Sequence, residues 1–187
     1  PHANRDEAHF YLGLVADAKG ETAEAAPQYQ ADLKVDPNNS AAYNKLGLIL
    51  NQDGKLDDAI RHFQKAIQLK PLDSAARTNL AVALMQRGSY GQAAVELNEV
   101  LRTNPHDAAA HFCQGFAFLY SKRVNEAISK FREGLRYKPD DAEAHYGLAS
   151  AFAAQRKRPE AVAEVREALR LRPNFPAAQE MLQQLER

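Results

Sequence analysis

The chain has no tryptophan and a single cysteine, Cys113, and its 24 Lys and Arg are matched by 24 Asp and Glu. One cysteine can form neither an internal disulfide nor a cysteine-based zinc site, so neither device organises this fold. Zero formal net charge removes the electrostatic footprint that a phosphate backbone demands of a dedicated nucleic-acid binder. Long apolar runs are also missing. Each is broken within a few residues by Lys, Gln, Asp or Arg, far short of the roughly 20 that cross a bilayer. Catalytic signatures are absent as well: there is no glycine-rich phosphate loop, no HExxH, no pair of carboxylates beside a cleft signal, and no Ser or Cys with a base nearby. The expectation is a non-enzyme without cofactor or metal, which neither spans a membrane nor binds nucleic acid. The chain begins with Pro1 rather than Met, as a fragment or a chain with a cleaved export signal would, so cytoplasmic and exported locations both stay open.

What is present is periodic. Pro37, Pro71, Pro105, Pro139 and Pro173 are spaced by 34 residues each time. A period this strict has to be explained before any local pattern is trusted. Placing each proline in slot 32 gives five repeats, 6–39, 40–73, 74–107, 108–141 and 142–175, with five residues before them and twelve after. Slots 7 and 8 hold Leu12-Gly13, Leu46-Gly47, Leu80-Ala81, Gln114-Gly115 and Leu148-Ala149. Slot 20 is always alanine (Ala25, Ala59, Ala93, Ala127, Ala161), and slot 24 is always bulky (Tyr29, Phe63, Leu97, Phe131, Val165). Small residues let two helix backbones approach, and the bulky one fills the space between them. Gly20, Gly54 and Gly88 in slot 15 suit a helix that ends on a left-handed residue. Asn39, Asp73, Asp107 and Asp141 in slot 34 suit N-caps, and the slot-32 proline ends the preceding helix. Each repeat therefore reads as helix, turn, helix, turn.

These residues resemble a tetratricopeptide repeat array. The second repeat, from SAAYNKLGLIL through DDAIRHFQKAIQLKP, is similar to the family pattern almost throughout, and the match covers about nine tenths of the chain. The resemblance implies an all-α, right-handed superhelical solenoid of antiparallel helix pairs, a single domain over 1–187. There are departures from the pattern. Slot 4, usually a large ring in this family, holds His9, Tyr43, Arg77, His111 and His145. In the first repeat, Pro27 lies inside the second helix and Asp32 takes a slot usually filled by Ala, which predicts a kinked or late-starting helix there. The last twelve residues, 176–187, place Ala178, Met181, Leu182 and Leu185 on one stripe and Gln179, Gln183, Gln184 and Glu186 elsewhere, like a solvating helix that closes such an array.

His111 and His145, in the same slot of adjacent repeats, are the tempting metal pair. Their backbones should stand about 8–10 Å apart, and zinc needs its nitrogens about 2 Å away, so interhelical packing is the expected role. Cys113 reads as a small buried hydrophobe. Binding is the better class of function, because stacked helix pairs leave a concave face lined by the first helices.

In proteins that this chain resembles, slots 2, 5, 6, 9, 12 and 13 build that face. The carry-over places Phe10 and Tyr11 there in repeat 1, Asn44 and Lys45 in repeat 2, Asn79 in repeat 3, Phe112, Phe116, Leu119 and Tyr120 in repeat 4, and Tyr146 in repeat 5. Among all thirty positions, only Glu7, Asp17, Lys45 and Glu143 are charged. Family members that clamp a carboxylate terminus use several cations with Asn, because charge-assisted bonds need them; here Lys45 stands alone. An amide-bearing middle flanked by aromatics instead predicts capture of a peptide or protein segment.

Charge also changes along the chain. Repeat 1 carries Asp6, Glu7, Asp17, Glu21, Glu24, Asp32 and Asp36 against Lys19 and Lys34, whereas repeats 4 and 5 each hold six Lys or Arg and four acids. Lys122 and Arg123, then Arg156, Lys157 and Arg158, occupy the inter-helix turns of the last two repeats, a ridge suited either to plain solvation or to an anionic partner. A second reading of function follows: acidic and basic ends could stack copies head to tail into oligomers or filaments.

Overall fold

The computed structural model describes residues 8–187; Asp6 and Glu7, assigned above to the first repeat, lie outside the described residues. Eleven α-helices and no strand occur among the described residues. The first helices of the five repeats are α1 (Ala8–Lys19), α3 (Ser40–Gln52), α5 (Ser74–Gln86), α7 (Ala108–Tyr120) and α9 (Ala142–Ala154). Their second helices are α2 (Thr22–Val35), α4 (Leu56–Leu69), α6 (Tyr90–Thr103), α8 (Val124–Tyr137) and α10 (Arg158–Leu171), and α11 (Pro176–Glu186) follows. No described helix is long and apolar enough to cross a membrane. Packing groups the chain into two compact blocks, one through Gly88 and one from Ser89.

The punctuation works through local hydrogen bonds. Asn39, Asp73, Asp107 and Asp141 each accept from the backbone N–H three residues on, at 3.0–3.1 Å, and so cap α3, α5, α7 and α9. Gly20, Gly54 and Gly88 stand at φ +77°, +75° and +84°, the left-handed region where a side chain is penalised. In the last two repeats Lys122 (φ 63°) and Arg156 (φ 60°) take the same backbone conformation without being glycine.

Slot 4 has a further role. Arg77 donates to the carbonyl of Pro71 at 3.1 Å, His111 to Pro105 at 2.9 Å, His145 to Pro139 at 2.9 Å, and Gln179 of α11 to Pro173 at 2.9 Å. Four side chains of three chemical types thus latch one repeat to the proline turn before it. His145 also faces Glu164 at 2.7 Å, and His111 faces Glu133 at 3.3 Å. Both histidines are held by oxygen atoms, and no group of three or more His, Cys, Asp or Glu that could hold a metal occurs among the described residues.

The expected late start at Pro27 does not occur: α2 begins in the same slot as α4. Pro27 and Ala23 are both exposed, so the carbonyl that loses its helical partner can bond water. Asp32, 2% exposed, accepts from the Asn39 amide at 2.8 Å. Burial nevertheless holds its carboxyl above the usual range, against the opposing pull of Asn39.

Slots 8 and 24 set the spacing within the helix pairs of repeats 1, 2 and 4. A Cβ built on Gly13, Gly47 or Gly115 would come within 2.5–2.7 Å of the ring of Tyr29, Phe63 or Phe131 respectively. Where slot 8 is Ala149, slot 24 is the smaller Val165. The two slots therefore share one volume. Gly47→Ala should destabilise by about 1–3 kcal/mol through overpacking, and adding Phe63→Leu should recover part of that loss. Denaturant unfolding of the two single variants and the double variant reads the coupling, and strictly additive losses would contradict the shared volume.

Candidate functional site

In the first block, three side chains meet beneath the face formed by α1 and α3. The Tyr29 hydroxyl donates to Asp17 Oδ2 at 2.8 Å, and the Lys45 ammonium reaches the same oxygen at 2.9 Å. Tyr29 is otherwise core: its ring is fully buried against Gly13 and only its hydroxyl emerges toward Asp17. Burial and the Asp17 carboxylate both push the phenol well above its ordinary value. Lys45, the one cation expected on this face, is thereby neutralised, and no charge is left over for a carboxylate clamp. Beside the pair lies a cleft of about 470 Å³ whose walls include Leu14, Ala18, Leu48 and Gln52.

One repeat further on, Asn79 Nδ2 donates to Asn44 Oδ1 at 2.9 Å. This bond uses one donor and one acceptor, and it leaves the Asn44 amide NH2 and the Asn79 carbonyl, the complement of a peptide group's own C=O and N–H. Phe10 is half-buried on the first block's core and 5.8 Å from the Tyr29 ring, whereas Tyr11 is exposed.

The second block carries an aromatic shelf. Tyr120 is 57% exposed and lies 5.5 Å from Tyr90 and 6.3 Å, nearly parallel, from Phe116. Phe116 is rooted below by an edge contact with Phe131 at 4.9 Å. Leu119 is half-buried against the same core, and Tyr146 packs on Phe175 at 5.0 Å. Phe112 belongs elsewhere: it is buried, with its ring over Gly134, where even a Cβ would clash. Glycine in slot 27 opens that space, so Phe112 is a packing residue and not part of an accessible face. Cys113 is half-buried, and burial raises its thiol pKa, which makes it a poor nucleophile at neutral pH. Of the turn cations, Arg123 is clamped by Glu126 and stacks over the Phe118 ring at 4.4 Å. Lys122, Arg156, Lys157 and Arg158 are exposed.

One participant and one contact were not anticipated from sequence. Tyr90 stands on a second helix, outside the first-helix slots, and the only signal was an aromatic in slot 17, where the other repeats hold Thr22, Leu56, Val124 and Arg158. Asp17 was placed on the face, but not its bond to a core tyrosine.

Repeated antiparallel helix pairs that present amides and aromatics from their first helices define an all-α helical repeat array of the interaction-scaffold class. Tetratricopeptide repeat family profiles match residues 10–74, 50–111 and 114–176. The chain belongs to the tetratricopeptide repeat family, whose members are generally non-catalytic scaffolds for protein interaction. No curated protein matches it significantly. Among solved structures it is similar to a MamA protein, 25% identical over 89% of this chain and 91% of that one with a TM-score of 0.79. It is also similar to YrrB, described as a TPR protein with an unusual peptide-binding site, 21% identical over 95% and 92% with a TM-score of 0.78. A MamA from Desulfovibrio magneticus RS-1 is 18% identical over 91% and 97% with a TM-score of 0.84, a likeness of fold.

Replacing Tyr29 by Phe removes one hydrogen bond to a carboxylate that keeps its lysine, an expected cost of about 1 kcal/mol at neutral pH. Because folding raises the Tyr29 pKa, the contribution of this group to stability is intact below the ordinary phenol value of about 10 and is lost as pH rises past it. Unfolding at rising alkaline pH should therefore fall more steeply for wild type than for Tyr29→Phe; parallel declines would contradict the assignment.

Proposed function

We propose that the chain captures a peptide or protein segment on the face formed by its first helices. The exposed Tyr120, stacked between Tyr90 and Phe116, carries this reading. An aromatic that stays open to water on a rigid base is a ready anchor, because its entropy of ordering has already been lost and a partner's apolar side chain gains its burial. The Asn44–Asn79 amide pair offers main-chain hydrogen bonds to an extended segment, and the neutralised Lys45 disfavours a partner recognised by a terminal carboxylate. YrrB, described as peptide-binding, lends the reading support by likeness of fold alone.

End-to-end stacking of copies is the weaker reading. Helix α11 buries Ala178 and packs Met181, Leu182 and Leu185 against the second block's core, and it turns Gln179, Gln183 and Gln184 to solvent. That surface offers a stacked copy mostly amide and charged side chains.

Phe116 has a structural share through Phe131, so Tyr120→Ala is the cleaner probe. With a peptide selected from a displayed random library on the wild-type protein, Tyr120→Ala should weaken binding by about tenfold or more and change unfolding free energy by no more than about 0.5 kcal/mol. Calorimetric titration and thermal melting together check both, and unchanged affinity would overturn the assignment of Tyr120.

A further inference from the structure

The inter-helix turns of the two blocks treat positive charge differently. In the first block each turn cation has a carboxylate: Lys19 with Glu21 at 3.9 Å, Lys55 with Asp53 at 3.3 Å, and Arg87 with Asp57 at 3.1 Å. In the second block Arg123 pairs with Glu126, while Lys122, Arg156, Lys157 and Arg158 have no carboxylate within ion-pair distance among the described residues. Five cations stand against two local carboxylates, Glu126 and Glu160.

Two of the uncompensated cations also occupy an unfavourable backbone conformation. Lys122 and Arg156 sit at φ 63° and 60° in the slot that the first three repeats fill with glycine. A side chain there is penalised sterically, and in both cases the residue that bears this cost is a cation. Strain kept at a polar surface position points to a role beyond folding. The two turns are neighbours, because Gln155, beside Arg156, donates from its amide to Asn125 at the start of α8. Adjacent repeats place the cations on the order of 10 Å apart, too far for one phosphate or carboxylate and well matched to successive acidic side chains on an extended chain. Guanidinium forks at Arg156 and Arg158 suit carboxylates in particular. With no net positive charge on the whole chain, five turn cations suit a short acidic segment better than the long phosphate track of a nucleic acid.

We infer that the turns at 122–123 and 156–158 form a second docking surface, separate from the first-helix face, for a protein segment rich in Asp and Glu. A fluorescein-labelled oligoglutamate peptide, titrated by anisotropy against the full chain, should bind at about 50 mM salt and weaken markedly at about 300 mM, where charges are screened over a few Å. Lys122→Gly combined with Arg156→Gly should weaken binding by about tenfold or more while melting at or above the wild-type temperature, since glycine relieves both left-handed positions. That opposition separates loss of ligand contact from loss of fold. Lys34→Gln with Lys70→Gln removes the same charge in the first block and should leave affinity within about twofold. Absence of binding to wild type, wild-type affinity in the double glycine variant, or tighter binding of single-stranded oligothymidine or phosphatidylserine vesicles than of oligoglutamate would each overturn the inference.

Discussion

A glycine-sized gap filled by a ring, between slot 8 of one helix and slot 24 of the next, is the constraint on which the rest depends. With no Cβ at Gly13, Gly47 and Gly115, the rings of Tyr29, Phe63 and Phe131 close onto backbone, and the two helices of a repeat adopt one separation. The alanines of slot 20 in all five repeats, and of slot 3 at Ala42, Ala76, Ala110 and Ala144, are buried to 0% and keep the other close approaches short. Bulky side chains are then consumed by the interior, and what first helices can show to solvent is restricted to a few slots. The proposed binding face is in this sense the remainder of the packing rule.

The joints between repeats follow a different physics. Caps at Asn39, Asp73, Asp107 and Asp141 satisfy helix amides, and slot-4 donors satisfy the carbonyls of the proline turns. Backbone groups freed by proline and by helix ends would otherwise be orphaned at a packed junction. Arg, His and Gln all perform the slot-4 task, because the requirement is an N–H at the right reach and not a flat ring. Gln114 shows how such polar devices can fall short: fully buried where other repeats place leucine, it bonds Asn98 through its nitrogen at 2.6 Å and leaves its oxygen without a partner.

Helix boundaries, caps and left-handed turns were legible in the sequence because each depends on residues a few positions apart at a strict period. Depth was less legible. Phe112 and Phe116 lie on one helix four residues apart, and only Gly134, 22 residues beyond Phe112, decides that one is core while the other supports a shelf. The pairing of glycine with rings and alanine with Val165 was present in the letters, but it acquires meaning only from interatomic distance. Asp17 and Lys45, 28 residues apart, meet because side-chain length bridges adjacent first helices, a contact that periodicity does not encode. Pro27 misled for a local reason: the rule that proline breaks helices assumes that the freed carbonyl is dry, and here it faces water.

The claim that packing fixes which surface can bind is most directly tested by nuclear magnetic resonance of the labelled chain titrated with a library-selected peptide. The expected result is perturbation of the Tyr120 ring in the second block, with the exposed outer residues of α4 and α8 unmoved. Perturbation confined to those second helices, with the first-helix signals unchanged, would contradict it.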